Sequence, residues 1–182
     1  MDLPSLKSLV AAIRQIASNE RLVVFGSGSL LGSFPSFDET LPLLRQSRDA
    51  DFLMFPWDEE LAWKIHRSVG ADHDFDREHG YHADIVRPFA TENFPPGWEA
   101  RLLPLDGLPE VFCLEPHDMA VAKLIAGRPK DLTLLTELLK NSHLSAATLR
   151  ERLDATPLVE AMIVKTHRRL DEVEAKAGAP GQ

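Results

Sequence analysis

Two short apolar runs, Leu22-Val23-Val24-Phe25 and Phe52-Leu53-Met54-Phe55, constrain this chain more than any other feature, because of what lies at their ends. Each is short, apolar and rich in β-formers, the pattern of a buried strand. The first leads into Gly26-Ser27-Gly28-Ser29, where small residues let backbone N–H groups approach an anion without obstruction. Leu30-Leu31-Gly32 reads as one helical turn, whose N-terminus would add partial positive charge at the same place. The second run is opened by Asp49-Ala50-Asp51. Residues two apart in a strand share a face, so both carboxylates point the same way. Because they precede the second run, they reach the turn after the first strand only if the two strands are antiparallel.

The remaining elements follow from periodicity and punctuation. Leu3 to Ala17 carries Leu6, Leu9, Val10, Ile13 and Ile16 at helical spacing. Residues 33 to 48, with Pro35 and Pro42, read as a loop with a short helix around Leu41 to Arg45. Pro56 stops the second strand, and Asp58 caps a helix over Glu59 to Val69. Asp72 to His82 is polar and reads as a loop; Tyr81 to Val86 reads as a third strand. Phe94-Pro95-Pro96-Gly97-Trp98 is a rigid connector. Arg101 to Leu105 and Glu110 to Leu114 read as a hairpin around Asp106-Gly107-Leu108-Pro109. From Glu115 the pattern is helical: His117 to Ala126, Pro129 to Lys140, Ser145 to Leu153 and Pro157 to Ala175. The expected class is α/β (α+β), a sheet flanked by helices with a helical C-terminal part. The expected organisation is a core over 1–115, a helical region over 116–177 and a disordered tail over 178–182. No internal repeat or low-complexity segment is evident.

Three carboxylates stand out: Asp49, Asp51 and Asp84, the last opening Ile85-Val86 as Asp51 opens its own run. If the second and third strands are neighbours, the three converge on one or two divalent ions. Mg²⁺ prefers such oxygen ligands and completes its shell with phosphates and water. The Gly-Ser turn would hold those phosphates, and one acid could accept a proton from an attacking hydroxyl. Rival readings are weaker. Gly26, Gly28 and Gly32 read G-x-G-x-x-x-G rather than the dinucleotide fingerprint, and the acids precede their strand instead of following it. No G-K-[ST] of a P-loop, no zinc spacing among His66, His73, His79 and His82, and no nucleophile elbow is present.

Phe25-Gly26-Ser27-Gly28-Ser29 with Arg48-Asp49-Ala50-Asp51 resembles the nucleotidyltransferase superfamily, whose mark is a strand, a Gly-Ser turn and a D-x-D. Pro95 to Arg101, and the stretch from Asp118 through Lys123, Gly127, Arg128 and Lys130 to Asp131, look like the DUF6036 branch, related to toxin-side enzymes of the AbiEii type. The resemblance covers roughly Val23 to Leu139. It implies a nucleotidyltransferase fold with a mixed sheet, Mg²⁺ (or Mn²⁺) on Asp49, Asp51 and Asp84, and NTP triphosphate at Gly26 to Ser29. It implies transfer of a nucleotidyl group to an acceptor hydroxyl on a protein, tRNA or small molecule, with a toxin–antitoxin role open. Two departures are a longer gap from the Gly-Ser turn to the first aspartate and a looser match at Asp84. The alternative is a catalytically degenerate nucleotide-binding or regulatory protein on the same fold.

Lys123, Arg128 and Lys130 carry two readings. As function, they neutralise phosphate charge. As structure, they form a helix corner in which Lys130 and Asp131 make a solvated ion pair of little energetic weight.

Charge limits the partners. A net charge of −8 argues against extended nucleic-acid binding, which needs clustered Lys and Arg. Any positive charge at a nucleotide must be supplied locally. No apolar run approaches the ~20 residues of a membrane helix, and the start has no signal-peptide pattern. The single cysteine, Cys113, lies in an apolar run and reads as core; its isolation fits a reducing cytoplasm. Val159, Met162 and Ile163 suit a homodimer as readily as an internal core.

Overall fold

The computed structural model describes residues 1–35 and 47–179. The helix expected around Leu41 to Arg45 and the tail beyond residue 179 lie outside the described residues. The chain divides into two compact units: 1–92 with 101–115, and 93–100 with 116–182.

The first unit opens with α1 (Leu3–Arg14), which buries Leu6, Leu9, Val10 and Ile13 on one stripe. It ends three residues short of the periodic pattern. The Arg14 guanidinium accounts for the stop, donating to the carbonyls of Ala17 and Glu20 and to those of Pro109 and Glu110. Then come β1 (Arg21–Phe25), a 3₁₀ turn (Gly26–Ser29), α2 (Leu30–Ser33) and β2 (Asp49–Phe55). α3 (Glu59–Val69) starts at Asp58, whose carboxylate accepts from the Leu61 amide at 3.0 Å. The expected polar loop instead contains a helix, α4 (Asp74–His79), closed by Gly80 in the left-handed conformation at φ 77°. Phe75 is its one apolar residue packed against the core, too little for a periodic signal. β3 (His82–Ile85), β4 (Leu103–Pro104) and β5 (Val111–Cys113) complete the sheet.

The strand order is β3-β2-β1-β5-β4. β1 pairs antiparallel with β2 and parallel with β5; β2 pairs parallel with β3, and β4 antiparallel with β5. Ala50, Phe52 and Met54 of β2 join Leu22 and Val24 of β1, the α1 stripe, and Ala62, Ile65 and Val69 of α3 in one core. Period-two alternation therefore leaves Asp49 and Asp51 on the opposite face of β2.

The second unit holds α5 (Pro116–Ala126), α6 (Pro129–Lys140), α7 (Ala146–Ala155) and α8 (Glu160–Gly178). α8 runs to Gly178, into the stretch expected as tail. In residues 93–100, the Trp98 ring meets Phe94 edge-on, centroids 5.2 Å apart. Val159 and Ile163 are exposed, as is Val164, and Met162 is half-buried. Among the described residues no helix is long and apolar enough to cross a membrane.

Candidate active site

The antiparallel register that the acids need is present. Phe25, the last residue of β1, pairs with Asp51, so the start of β2 lies beside the Gly-Ser turn. On its other side β2 pairs with β3, setting Asp49 opposite His82 and Asp51 opposite Asp84. Asp49, Asp51 and Asp84 thus meet on one face, each partly buried, with one carboxylate oxygen from each within 4.8 Å of the others. Hard oxygen donors at that spacing suit a divalent cation such as Mg²⁺ or Mn²⁺. Among the described residues no other grouping of His, Cys, Asp and Glu has ligand spacing. The histidines are dispersed into ring and ion contacts: His66 against Trp63 and His73, His79 against Phe75, His82 against Asp76.

Local contacts fix the trio. Ser47 Oγ donates to Asp49 Oδ1 at 2.6 Å. Gly26 sits directly beneath Asp51: a Cβ there would come within 2.2 Å of Asp51 Oδ2, and its φ of 65° is left-handed. Glycine is required at this position on both counts. A strap ties the two acid-bearing strands together. Asp76, on α4, accepts from Arg48 at 3.0 Å and from the Asp72 amide at 3.1 Å, and its Oδ1 lies 3.2 Å from His82 Nδ1. The Asp72 amide, then His82 and Arg48, hold the Asp76 carboxyl below its ordinary range. Arg48 immediately precedes Asp49 and His82 lies two before Asp84, so one carboxylate anchors both strand entrances.

The four turn residues are not equivalent. Gly26 and Ser27 are partly exposed, whereas Gly28 and Ser29 are buried. Ser29 Oγ donates to the Gly26 carbonyl at 2.8 Å and so locks the turn from inside, with no accessible surface for a phosphate. Gly32 serves packing: a Cβ there would strike Cys113 Sγ at 2.6 Å. That contact explains a third glycine without a dinucleotide. Cys113 is core, as expected, and burial pushes its thiol up to about 12.

Two recesses among the described residues touch the trio. A small recess beside Asp49 is lined by Ser27, Gly28, Leu31 and Ser47. A larger cleft of about 490 Å³ opens from Asp51 and Asp84 along the edge strand. Trp57, Trp63 and Phe89 of that cleft had no assignment from sequence. The available signal was the stripe Glu59, Ala62, Trp63, His66 at i, i+3, i+4 and i+7, a Trp-bearing helix face.

In the second unit the basic residues form a corner. Asp131 is 1% exposed and accepts from Lys123 Nζ at 2.7 Å and Arg128 Nε at 2.7 Å. The expected solvated pair of Lys130 with Asp131 is therefore replaced by a buried one with Lys123, and Lys130 is exposed. Burial alone would raise the Asp131 carboxyl, but the two cations hold it below its ordinary range. Arg169 lies over Gly127, where a Cβ would come within 1.9 Å of the guanidinium, and donates to the carbonyls of Leu124 and Ile125. His117, expected only as a helix-start residue, accepts from the Ser145 amide at 2.9 Å.

A family model described as a nucleotidyltransferase of unknown function, DUF6036, matches residues 3–175 of the 182. The chain belongs to this family. No curated protein and no solved structure matches it. The five-stranded mixed sheet flanked by helices is consistent with a nucleotidyltransferase-type fold. In this DUF6036 protein the acid trio could hold a metal ion, and the strand, turn and D-x-D lie adjacent in one unit.

Proposed function

We propose that the protein is a divalent-metal-dependent nucleotidyltransferase, with Asp49, Asp51 and Asp84 as metal ligands and the exposed part of the Gly26–Ser29 turn as phosphate contact. The observation that carries this reading is the convergence of three carboxylates beside that turn in a DUF6036 chain. Mg²⁺ or Mn²⁺ bound there would offset phosphate charge and polarise the α-phosphorus. Three carboxylates alone repel a triphosphate, so NTP binding must depend on metal. Gly26 keeps the backbone open at the phosphates, while Ser27 offers its hydroxyl. Lys123, buried against Asp131, holds the helix corner in this reading, leaving exposed Lys130 and the largely exposed Arg128 as the basic groups there with room for a phosphate.

In the reaction the acceptor oxygen attacks the α-phosphorus and forms a new O–P bond. The bond from that phosphorus to the bridging oxygen breaks, and pyrophosphate leaves with its electron pair. The hydroxyl proton goes to a carboxylate. Asp84 is assigned that role: it lines the larger cleft but not the recess at the turn, whereas Asp51 packs on Gly26. The convergent trio favours this enzyme reading over a degenerate regulatory one. A toxin–antitoxin setting is compatible with it.

Calorimetric titration of each NTP, with and without Mg²⁺, tests the reading on wild type and on Asp49→Ala/Asp51→Ala. Expected is metal-dependent binding that the double variant loses. Absence of NTP binding to wild type with Mg²⁺ would reject it.

A further inference from the structure

The cleft along β3 has a composition that metal and triphosphate do not explain. Its floor is Asp51 and Asp84, two of the three acids. One wall is the α3 stripe bearing Trp63, the other comes from Arg87 and Phe89 after β3, and Trp57 completes the lining. Trp63 is 58% exposed and Phe89 65% exposed. Single exposed rings are ordinary. Here three aromatic side chains line one cavity of about 490 Å³ that ends on the acids, within the size range of small-molecule sites.

Charge narrows the occupant. Glu59 and Arg87, the charged residues of the walls, pair with each other. The remaining walls are aromatic and aliphatic apart from His66, and the floor is acidic. Such a cleft repels a polyanion and accepts a neutral planar group. Ser27, Gly28 and Asp49 line a different recess and are absent from the lining of this cleft, so a triphosphate at the Gly-Ser turn, as the transfer reading has it, leaves the aromatic walls to another group.

We propose that this cleft is the acceptor subsite and that it takes a neutral, ring-bearing hydroxyl compound of the nucleoside class. The planar base lies against the aromatic walls, and the sugar hydroxyl reaches Asp84. The inference rests on the nucleotidyl-transfer reading. The bonds made and broken are those given above, with the nucleoside hydroxyl as the attacking oxygen and its proton passing to Asp84.

Tryptophan fluorescence of the full chain, titrated with adenosine, tests it. Trp57 and Trp63 line the cleft, and buried Trp98 belongs to the other unit. Expected is saturable quenching that Trp63→Leu weakens about ten-fold, in line with loss of one base–aromatic stack. Phe89→Ala, also at an exposed position, should weaken it similarly. Quenching should persist in Asp49→Asn and in the presence of saturating Mg²⁺ with a non-hydrolysable ATP analogue. No saturable quenching would overturn the inference while leaving metal-dependent NTP binding intact. Displacement of adenosine by the ATP analogue would also overturn it, because the cleft would then hold the NTP's own base. Adenosine binding in a protein that binds no Mg²⁺·NTP would reject the acceptor role together with the transfer reading.

Discussion

Each unit of the molecule gathers three charged side chains, and the two gatherings are opposite in kind. In the first, Asp49, Asp51 and Asp84 bring like charges together on a partly exposed sheet face. In the second, Asp131 is buried between Lys123 and Arg128, so its negative charge is answered within the chain. Like charges held together by backbone register cost stability unless an outside cation compensates them. A buried pair of opposite charges satisfies itself and serves the helix corner. The contrast separates a site from a scaffold: like charges converging at ligand spacing mark the first, opposite charges paired within the chain mark the second.

The contrast is broken most directly at Asp131. Asp131→Asn leaves Lys123 buried without its anion and should destabilise the fold by about 3 kcal/mol, as breaking one partner of a buried pair does. Urea unfolding would measure it, and NTP affinity per folded molecule should not change. Next in size is Gly26→Ala. The left-handed backbone alone costs about 1–2 kcal/mol, and the new methyl must displace the Asp51 carboxylate. Metal-dependent NTP binding should therefore fall more than stability does, which calorimetry and a melting curve together would reveal.

A subtler test uses acid. The folded Asp131 value lies below 3.8, the ordinary one, so its contribution is fully present above pH 3.8 and lost as pH falls through the lowered value. Asp131→Asn should flatten that part of the stability–pH profile; an unchanged slope would remove the pair from the account. The smallest effect has the opposite sign. Asp84→Asn relieves like-charge repulsion and should leave the metal-free protein unchanged or more stable by under about 1 kcal/mol. The same variant should lose the rise in melting temperature that Mg²⁺ gives wild type.

The strand–turn–acid order was legible because each piece has a local signature: a β-branched run, small residues after it, and acids two apart. The antiparallel requirement could be stated from sequence, since the acids precede their strand. Asp84 could be suspected only if β2 and β3 were neighbours, a long-range fact that the register supplies. What stayed hidden has physical reasons. α4 has one apolar residue in contact with the core and so no periodicity. Ser29 looks like Ser27 in sequence, but the turn points one hydroxyl inward to Gly26. Lys123 finds Asp131 eight residues away, across the helix break at Gly127, where short-range spacing rules do not reach. The cleft draws on α3, β3 and the segment after it, so its aromatic residues are scattered along the chain.

The contact between Gly32 and Cys113 gives the molecule a built-in clock. A thiol raised to about 12 and packed under a helix carries almost no thiolate at neutral pH. A maleimide can capture it only during moments when α2 lifts from β5. The labelling rate of untouched wild-type protein then counts those openings, one strand removed from the Gly-Ser turn. Slower labelling on addition of Mg²⁺ and nucleotide would register, at an unmodified native residue, that ligand binding tightens the turn's own foundation.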